Sequence, residues 1–168
     1  CQISMDAAQD DEILTQMKNS GCFLVLIGFE SLNKESLGQM HKSANIKADY
    51  EATIKRIYKH RMLIYGTFVL GCDGDNSDVF ERTLDFAVRN GIAVTNFNPL
   101  IPMPGTSVYE KFSKENRLLY KKWWISDKYH YGDTAFIPKN MTPDELHDGC
   151  LRIRTEFYSF SCIIKTSK

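Results

Sequence analysis

The strongest constraint on the fold is the apolar run Phe23–Phe29 (FLVLIGF), which contains no polar side chain. A strand with one face in water alternates apolar and polar residues, whereas a strand covered on both faces stays apolar throughout. The run therefore predicts a strand inside a parallel sheet. Ahead of it, Ile3–Asp6 reads as a short strand and Asp10–Ser20 as a helix with Ile13, Leu14 and Met17 on one face. Gly21 ends that helix, as glycine does just past many helix C-termini. Helical signals follow over Lys34–Met40 and Ala48–His60, the second with Tyr50, Ile54, Ile57 and Tyr58 as its apolar stripe. A second apolar run, Leu63–Leu70, leads into the turn GCDGDNSD and a helix from Asp78 to Asn90, and Val94–Asn98 is a fourth strand. Strand and helix alternating through short links predict a right-handed parallel β/α array, with the strands in sequence order across the sheet. Four units are too few to close an eight-stranded barrel, and no Gly-rich dinucleotide fingerprint follows any strand. Pattern alone leaves both an open sheet and an arc of a barrel standing.

After Asn98 the composition changes. PLIPMPGTS holds three of the five prolines and predicts a rigid, extended loop. A short helix is expected over Ser107–Lys114, followed by an aromatic stretch, LLYKKWWISDKYHYGDTAF, without clear period. Thr142-Pro143-Asp144-Glu145 combines an N-cap threonine, proline at the first helical position and glutamate at the third. That helix should reach Phe160, with Leu146, Ile153, Phe157 and Phe160 toward the core. The expected division is residues 1–105 as the β/α array and residues 106–168 as a mostly helical extension packed on it.

Composition narrows the function classes. The 21 basic and 21 acidic side chains cancel, which removes any bulk electrostatic case for nucleic acid or an anionic membrane. No apolar run has the length of a membrane span. The first residues lack an initiator methionine and the character of a signal peptide, so the chain reads as a piece entered mid-fold. The five cysteines (Cys1, Cys22, Cys72, Cys150 and Cys162) are dispersed, without the spacing of zinc or cluster ligands, and fit a reducing, cytoplasmic setting. Cys22, Cys150 and Cys162 are expected to be buried small hydrophobes.

Ligands of parallel β/α folds meet the carboxyl ends of the strands. That rule selects Met5-Asp6, Gly28-Phe29-Glu30-Ser31, Gly66-Thr67-Phe68-Val69 with Gly71-Cys72-Asp73, and Asn96-Phe97-Asn98. Plainer readings stand beside each. Glu30 to Asn33 could be a turn with a helix cap. Asp73, Asp75 and Asp78 lack the remaining ligands of a calcium loop and read as a solvated turn. His41, His60, His130 and His147 show no metal-binding pairing, and no serine sits in a nucleophile elbow. Metal ligands and catalytic residues are therefore not assigned within the chain.

Longer segments carry a resemblance. GCFLVLIGFESLNKESLGQMHKS resembles the fourth-strand region of radical S-adenosylmethionine enzymes, and GTFVLGCDGD resembles their fifth strand. NFNPLIPMPGTSVYEKFSKENRLL is similar to the sixth strand and its following loop. The run from Trp123 through FIPKNMTPDELHDGCLRIRTEFYSFSCI resembles the tail of members with a B12-binding domain.

The resemblance implies strands three to six of a six-unit partial barrel, with strands one and two outside the chain. It implies a parent with S-adenosylmethionine, a [4Fe–4S] cluster held by CxxxCxxC in the first unit, and cobalamin in the subgroup that binds it. The parent would act as an oxidoreductase or methyltransferase on a small molecule. This piece, without the cluster cysteines, would be inactive and bind none of these groups alone. By the same resemblance Glu30 meets the ribose hydroxyls, followed by Ser31, and Asp6 takes the polar position after strand three. Thr67 and Val69 give the ribose contact and adenine shelf of strand five, and Asn98 lies by the adenine edge. Thr67 departs from the acidic residue that some members carry.

Two other readings remain open: a non-radical β/α enzyme or small-molecule binding module, and a structural or regulatory domain without a ligand. The first strand's free edge also suggests self-association, or cover by the aromatic stretch Trp123–Tyr131.

Overall fold

The computed structural model describes residues 1–166 of the chain. Four strands, β1 (Gln2–Ile3), β2 (Leu24–Glu30), β3 (Leu63–Leu70) and β4 (Val94–Pro99), form one sheet in the order β1-β2-β3-β4. Every neighbouring pair is parallel, as the alternation of apolar runs and helices required. Between them lie α1 (Asp11–Asn19), α2 (Lys34–Gln39), α3 (Ser43–Lys47), α4 (Tyr50–Lys59) and α5 (Asp78–Arg89). The last part adds α6 (Ser107–Lys114), α7 (Pro143–Phe157) and α8 (Phe160–Thr166).

Side chains alternate across the strands. Val25, Ile27, Phe29, Ile64, Phe68, Leu70 and Phe97 are fully buried on the helix side. Aromatic rings run across that face: Phe29 stacks on Phe68 at 5.3 Å, Phe68 on Phe97 at 5.5 Å, and Phe97 meets Phe157 of α7 edge-on at 5.9 Å. Gly66 leaves the room this needs, since a Cβ there would sit 3.1 Å from the Phe29 ring. The opposite face is only half-buried and carries Leu26, Tyr65 and Val94 in one row, then Gly28, Thr67 and Asn96 in the next.

Several boundaries differ from the sequence expectations, for local reasons. The first strand stops at Ile3 because the chain turns into a 3-10 segment, Ala7–Gln9, with Asp6 at its N-cap; Met5 tucks into the core. Phe23 precedes β2 and is 70% exposed. The short helix α3 was not expected, and α4 begins only after Asp49, whose carboxylate caps it by accepting from the Ala52 N–H at 3.0 Å. The final helix breaks after Phe157: Ser159 Oγ accepts from the Cys162 N–H and starts α8, leaving Phe160 80% exposed instead of in the core. Cys22 is half-buried, its Sγ 3.9 Å from that of Cys1, while Cys150 and Cys162 are buried.

The turn GCDGDNSD is not solvated. Asp75 is buried and accepts from the Gly71 and Cys72 N–H groups at 3.0 Å each and from the Ser36 hydroxyl at 3.0 Å. The Asp73 side chain is 5% exposed and pairs with Lys111, Arg117 and Lys139. The aromatic stretch does not cover the β1 edge. Trp123 instead donates to the Pro102 carbonyl at 2.8 Å and packs on Tyr129, while Trp124 meets Tyr109 of α6. Among the described residues no helix is long and apolar enough to cross a membrane.

Candidate functional site

At the carboxyl end of β2 the strand makes a bulge, the register with β3 slipping between Gly28 and Glu30. The bulge puts Glu30 at φ 65°, a left-handed conformation that a non-glycine residue adopts only when its surroundings hold it there. Its carboxylate folds back over Gly28, where an added Cβ would lie 2.5 Å from Oε1. Glycine is thus required at residue 28 by the position of the acid two residues later.

A bulge frees carbonyls from the sheet ladder, and these need donors. Asn45 of α3, itself buried, gives its Nδ2 hydrogens to Gly28 O at 2.8 Å and Phe29 O at 3.1 Å. Tyr50 donates its hydroxyl to Phe29 O at 2.8 Å. Burial pushes the Tyr50 phenol up to about 12, so it remains a donor. Lys42, just before α3, pairs with Glu30 Oε1 at 2.8 Å. Among the described residues Oε2 accepts from no donor.

Glu30 opens onto a cavity of about 380 Å³. Its walls come from Gln2–Met5 after and along β1, from Gly28 and Thr67 on the half-buried sheet face, and from His41–Asn45 above. The structure therefore brings Glu30 and Thr67 together. Val69 and Asn98 share the same sheet face one row further on, paired in register, outside the lining of this cavity. Asp6 follows the β1 wall and is exposed, a hydrogen bond from the Ser4 side chain lowering its pKa. Ser31 is buried and turned inward, its hydroxyl accepting from the Asn33 N–H at 3.0 Å.

A second cavity of about 280 Å³ lies at the mouths of β3 and β4, walled by Met40, Cys72, Leu100, Val108 and Phe112, with Lys111 at its polar side. His41, also left-handed at φ 56°, lines both cavities. Sequence reasoning missed His41, Lys42 and Asn45 because it placed no element between Met40 and Ala48. The available signal was Lys42-Ser43 ahead of a short helical turn, with a polar Asn45 on its inner side.

The chemistry at hand is that of a binding site. One carboxylate oxygen pairs with an ammonium, the other accepts from no donor among the described residues, and the acid lines the cavity together with the Thr67 side chain and Gly28. Such a set accepts hydrogen bonds from neutral hydroxyl donors. The cysteines do not gather near it: Cys1 and Cys22 lie at the amino ends of β1 and β2, Cys150 and Cys162 are buried on helices, and Cys72, buried past the end of β3, stands by itself in the wall of the second cavity.

No protein-family model matches the chain. It is 36% identical over 163 residues to bacteriochlorophyllide d C-12(1)-methyltransferase of Chlorobaculum tepidum, covering 97% of this chain and 35% of that protein. It is 24% identical over 129 residues to bacteriochlorophyllide d C-8(2)-methyltransferase of the same organism, covering 76% of this chain and 28% of the relative. The chain thus spans about a third of the length of these relatives. Among solved structures, the radical S-adenosylmethionine methyltransferase TsrM of Kitasatospora setae, with cobalamin and a [4Fe–4S] cluster bound, superposes with a TM-score of 0.57 at 15% identity, over 88% of this chain and 29% of that one. Elp3 of Methanocaldococcus infernus gives 0.57 at 13% identity, over 94% and 42%. These two likenesses are likenesses of fold.

Proposed function

We propose that the chain is part of a radical S-adenosylmethionine methyltransferase of the B12-binding group, a reading that its likeness to the bacteriochlorophyllide d methyltransferases supports, and that it supplies the ribose and adenine side of the S-adenosylmethionine site. Residues 1–105 form the partial barrel in this reading, and residues 106–168 the extension packed on it. The observation that carries the reading is the Glu30 carboxylate, held over Gly28 in a left-handed conformation and lining the same cavity as Thr67. A vicinal diol offers two O–H donors, and a carboxylate has the acceptors to take both. Thr67 adds a hydroxyl in the neighbouring strand, Val69 an apolar surface for a flat base, and Asn98 and the backbone beyond it the base edge. Asp6 is exposed just past the β1 wall, while Ser31 is buried after Glu30 with its hydroxyl accepting from the Asn33 N–H, outside the cavity lining.

The cysteines present do not fit a [4Fe–4S] cluster, so cluster ligands belong to other parts of the parent, as does any cobalamin site. The bound cofactor supplies the reactive carbon–sulfur bond. This chain's residues hold the nucleoside in place and leave the reacting end toward the rest of the protein. The apolar cavity between Met40, Leu100 and Phe112 adjoins this site through His41 and fits the near side of a small-molecule substrate cleft.

The test is calorimetric titration of the complete enzyme with S-adenosylmethionine. Glu30→Ala should weaken binding by about 1–3 kcal/mol, the range for lost charged hydrogen bonds. Unchanged affinity and cleavage rate would remove Glu30 from the site.

A further inference from the structure

We infer that Lys42 is a positioning residue: its ammonium fixes which way the Glu30 carboxylate faces, and so sets how strictly the site reads a sugar diol. The inference rests on the nucleoside reading of Glu30 and goes beyond it to a residue whose ammonium is engaged by the acid.

Glu30 has little to orient it by itself. Its backbone is left-handed, its strand pairing is interrupted by the bulge, and its side chain doubles back across Gly28. A carboxylate on two sp³ torsions would otherwise sample several rotamers. Lys42 Nζ sits 2.8 Å from Oε1, the oxygen that lies over Gly28, while Oε2 accepts from no donor among the described residues. The pair chooses one oxygen, which a diffuse field would not do.

Lys42 is in turn fixed at its base. Its N–H donates to Leu37 O at 2.9 Å, closing the end of α2, and His41 before it is left-handed at φ 56°. Immediately after it α3 begins, and Asn45 of that helix grips Gly28 O and Phe29 O on the same bulge. One short segment, residues 42–45, therefore holds the bulge backbone and the bulge side chain together. The Lys42 side chain is 45% exposed and that of Glu30 17%, so the pair contributes little to stability and its weight is geometric.

The experiment uses the complete enzyme and compares affinities for S-adenosylhomocysteine and its 3′-deoxyribose analogue. In the native protein the hydroxyl-bearing ligand should bind more tightly. Lys42→Met should reduce that ratio about tenfold, the scale of one charged hydrogen bond, with the melting temperature unchanged. Lys42→Arg should retain most of the ratio, since it restores a cationic donor. Overturning takes one result: Glu30→Ala lowers the ratio and Lys42→Met does not. If Glu30→Ala itself leaves the ratio at its native value, the diol reading of the carboxylate fails, and the role of Lys42 fails with it.

Discussion

The Tyr158 hydroxyl holds the backbone of Thr95 from both sides, accepting from its N–H at 3.0 Å and donating to its carbonyl at 2.8 Å. Four residues earlier on the same helical path, Arg154 donates to the Phe97 carbonyl at 2.8 Å. Four residues of helix advance about 6 Å, and two residues of strand about 6.6 Å. The spacing of α7 thus matches that of β4, and helix side chains take the place of a fifth strand along its outer edge. An edge strand with open amide groups is a template for another chain. Here the edge is closed by the extension.

Tyr158→Phe removes both bonds to Thr95 while keeping the ring that packs edge-on against Phe157. Thr95 is buried, so water replaces the lost partner poorly. The expected cost is about 1–2 kcal/mol in urea unfolding, with faster hydrogen exchange concentrated at the Thr95 amide. Uniformly faster exchange along β4, or none, would contradict an edge role for this hydroxyl.

Gly28→Ala separates site geometry from stability. The added Cβ would meet Glu30 Oε1 at 2.5 Å, and that oxygen is the far end of a flexible side chain that can swing away. Stability should change by less than about 1 kcal/mol, while nucleoside affinity of the complete enzyme falls by about 1–2 kcal/mol. Equal losses in both would mean that the glycine serves the backbone and not the acid.

The arrangement of strands was legible because it rests on hydrophobic periodicity. Phe23–Phe29 and Leu63–Leu70 read as strands covered on both faces, and their parallel order followed from the helices between; the strands are there, but one face is only half-buried and Phe23 lies before β2. The helix caps were legible too: Thr142 and Glu145 form the reciprocal box that their spacing indicated. Glu30 was selected by its place at the end of one apolar strand and Thr67 by its place within the next, and both line one cavity. What stayed hidden depends on tertiary partners. Nothing near Asp73 announces Lys111, Arg117 and Lys139, which arrive from 38, 44 and 66 residues further along. The bulge at Glu30, and the need for Asn45 to satisfy it, likewise appear only when β2 and α3 meet.

Asp73 gives the fold a pH dependence. Burial alone would raise its pKa, but hydrogen bonds from Lys111, Arg117 and Lys139 outweigh that and bring it to about 2. A carboxylate whose pKa is lower folded than unfolded adds stability above its unfolded pKa, and loses it as pH falls through the folded value. The contribution, about 1–2 kcal/mol after solvent screening, should therefore be complete near neutrality. It should disappear between about pH 4 and pH 2. Asp73→Asn should flatten that part of the stability profile, and an unaltered acid limb would assign the acid sensitivity to other groups.

The other side of the sheet leads to the last expectation. The two residues of β1 pair only with β2, so one side of this strand keeps its amide groups unpaired within the sheet. Phe23 at 70%, Leu63 at 49% and Ile13 at 40% exposure stand at the amino ends of the neighbouring elements, and Leu24 and Leu26 on the inner face are only half-buried. The aromatic stretch that could have covered this region is folded against Pro102 and Tyr109, by the β4 end of the sheet. Exposed apolar surface favours association, and equal numbers of basic and acidic side chains offer little repulsion against it. The isolated chain is therefore expected to self-associate through the β1 side. Light scattering over a concentration series should show mass rising with concentration, and Phe23→Lys should shift that rise to higher concentration. A chain that stays monomeric at high concentration, with the β1 edge exchanging freely with solvent, would show that this surface is stable in water as it stands.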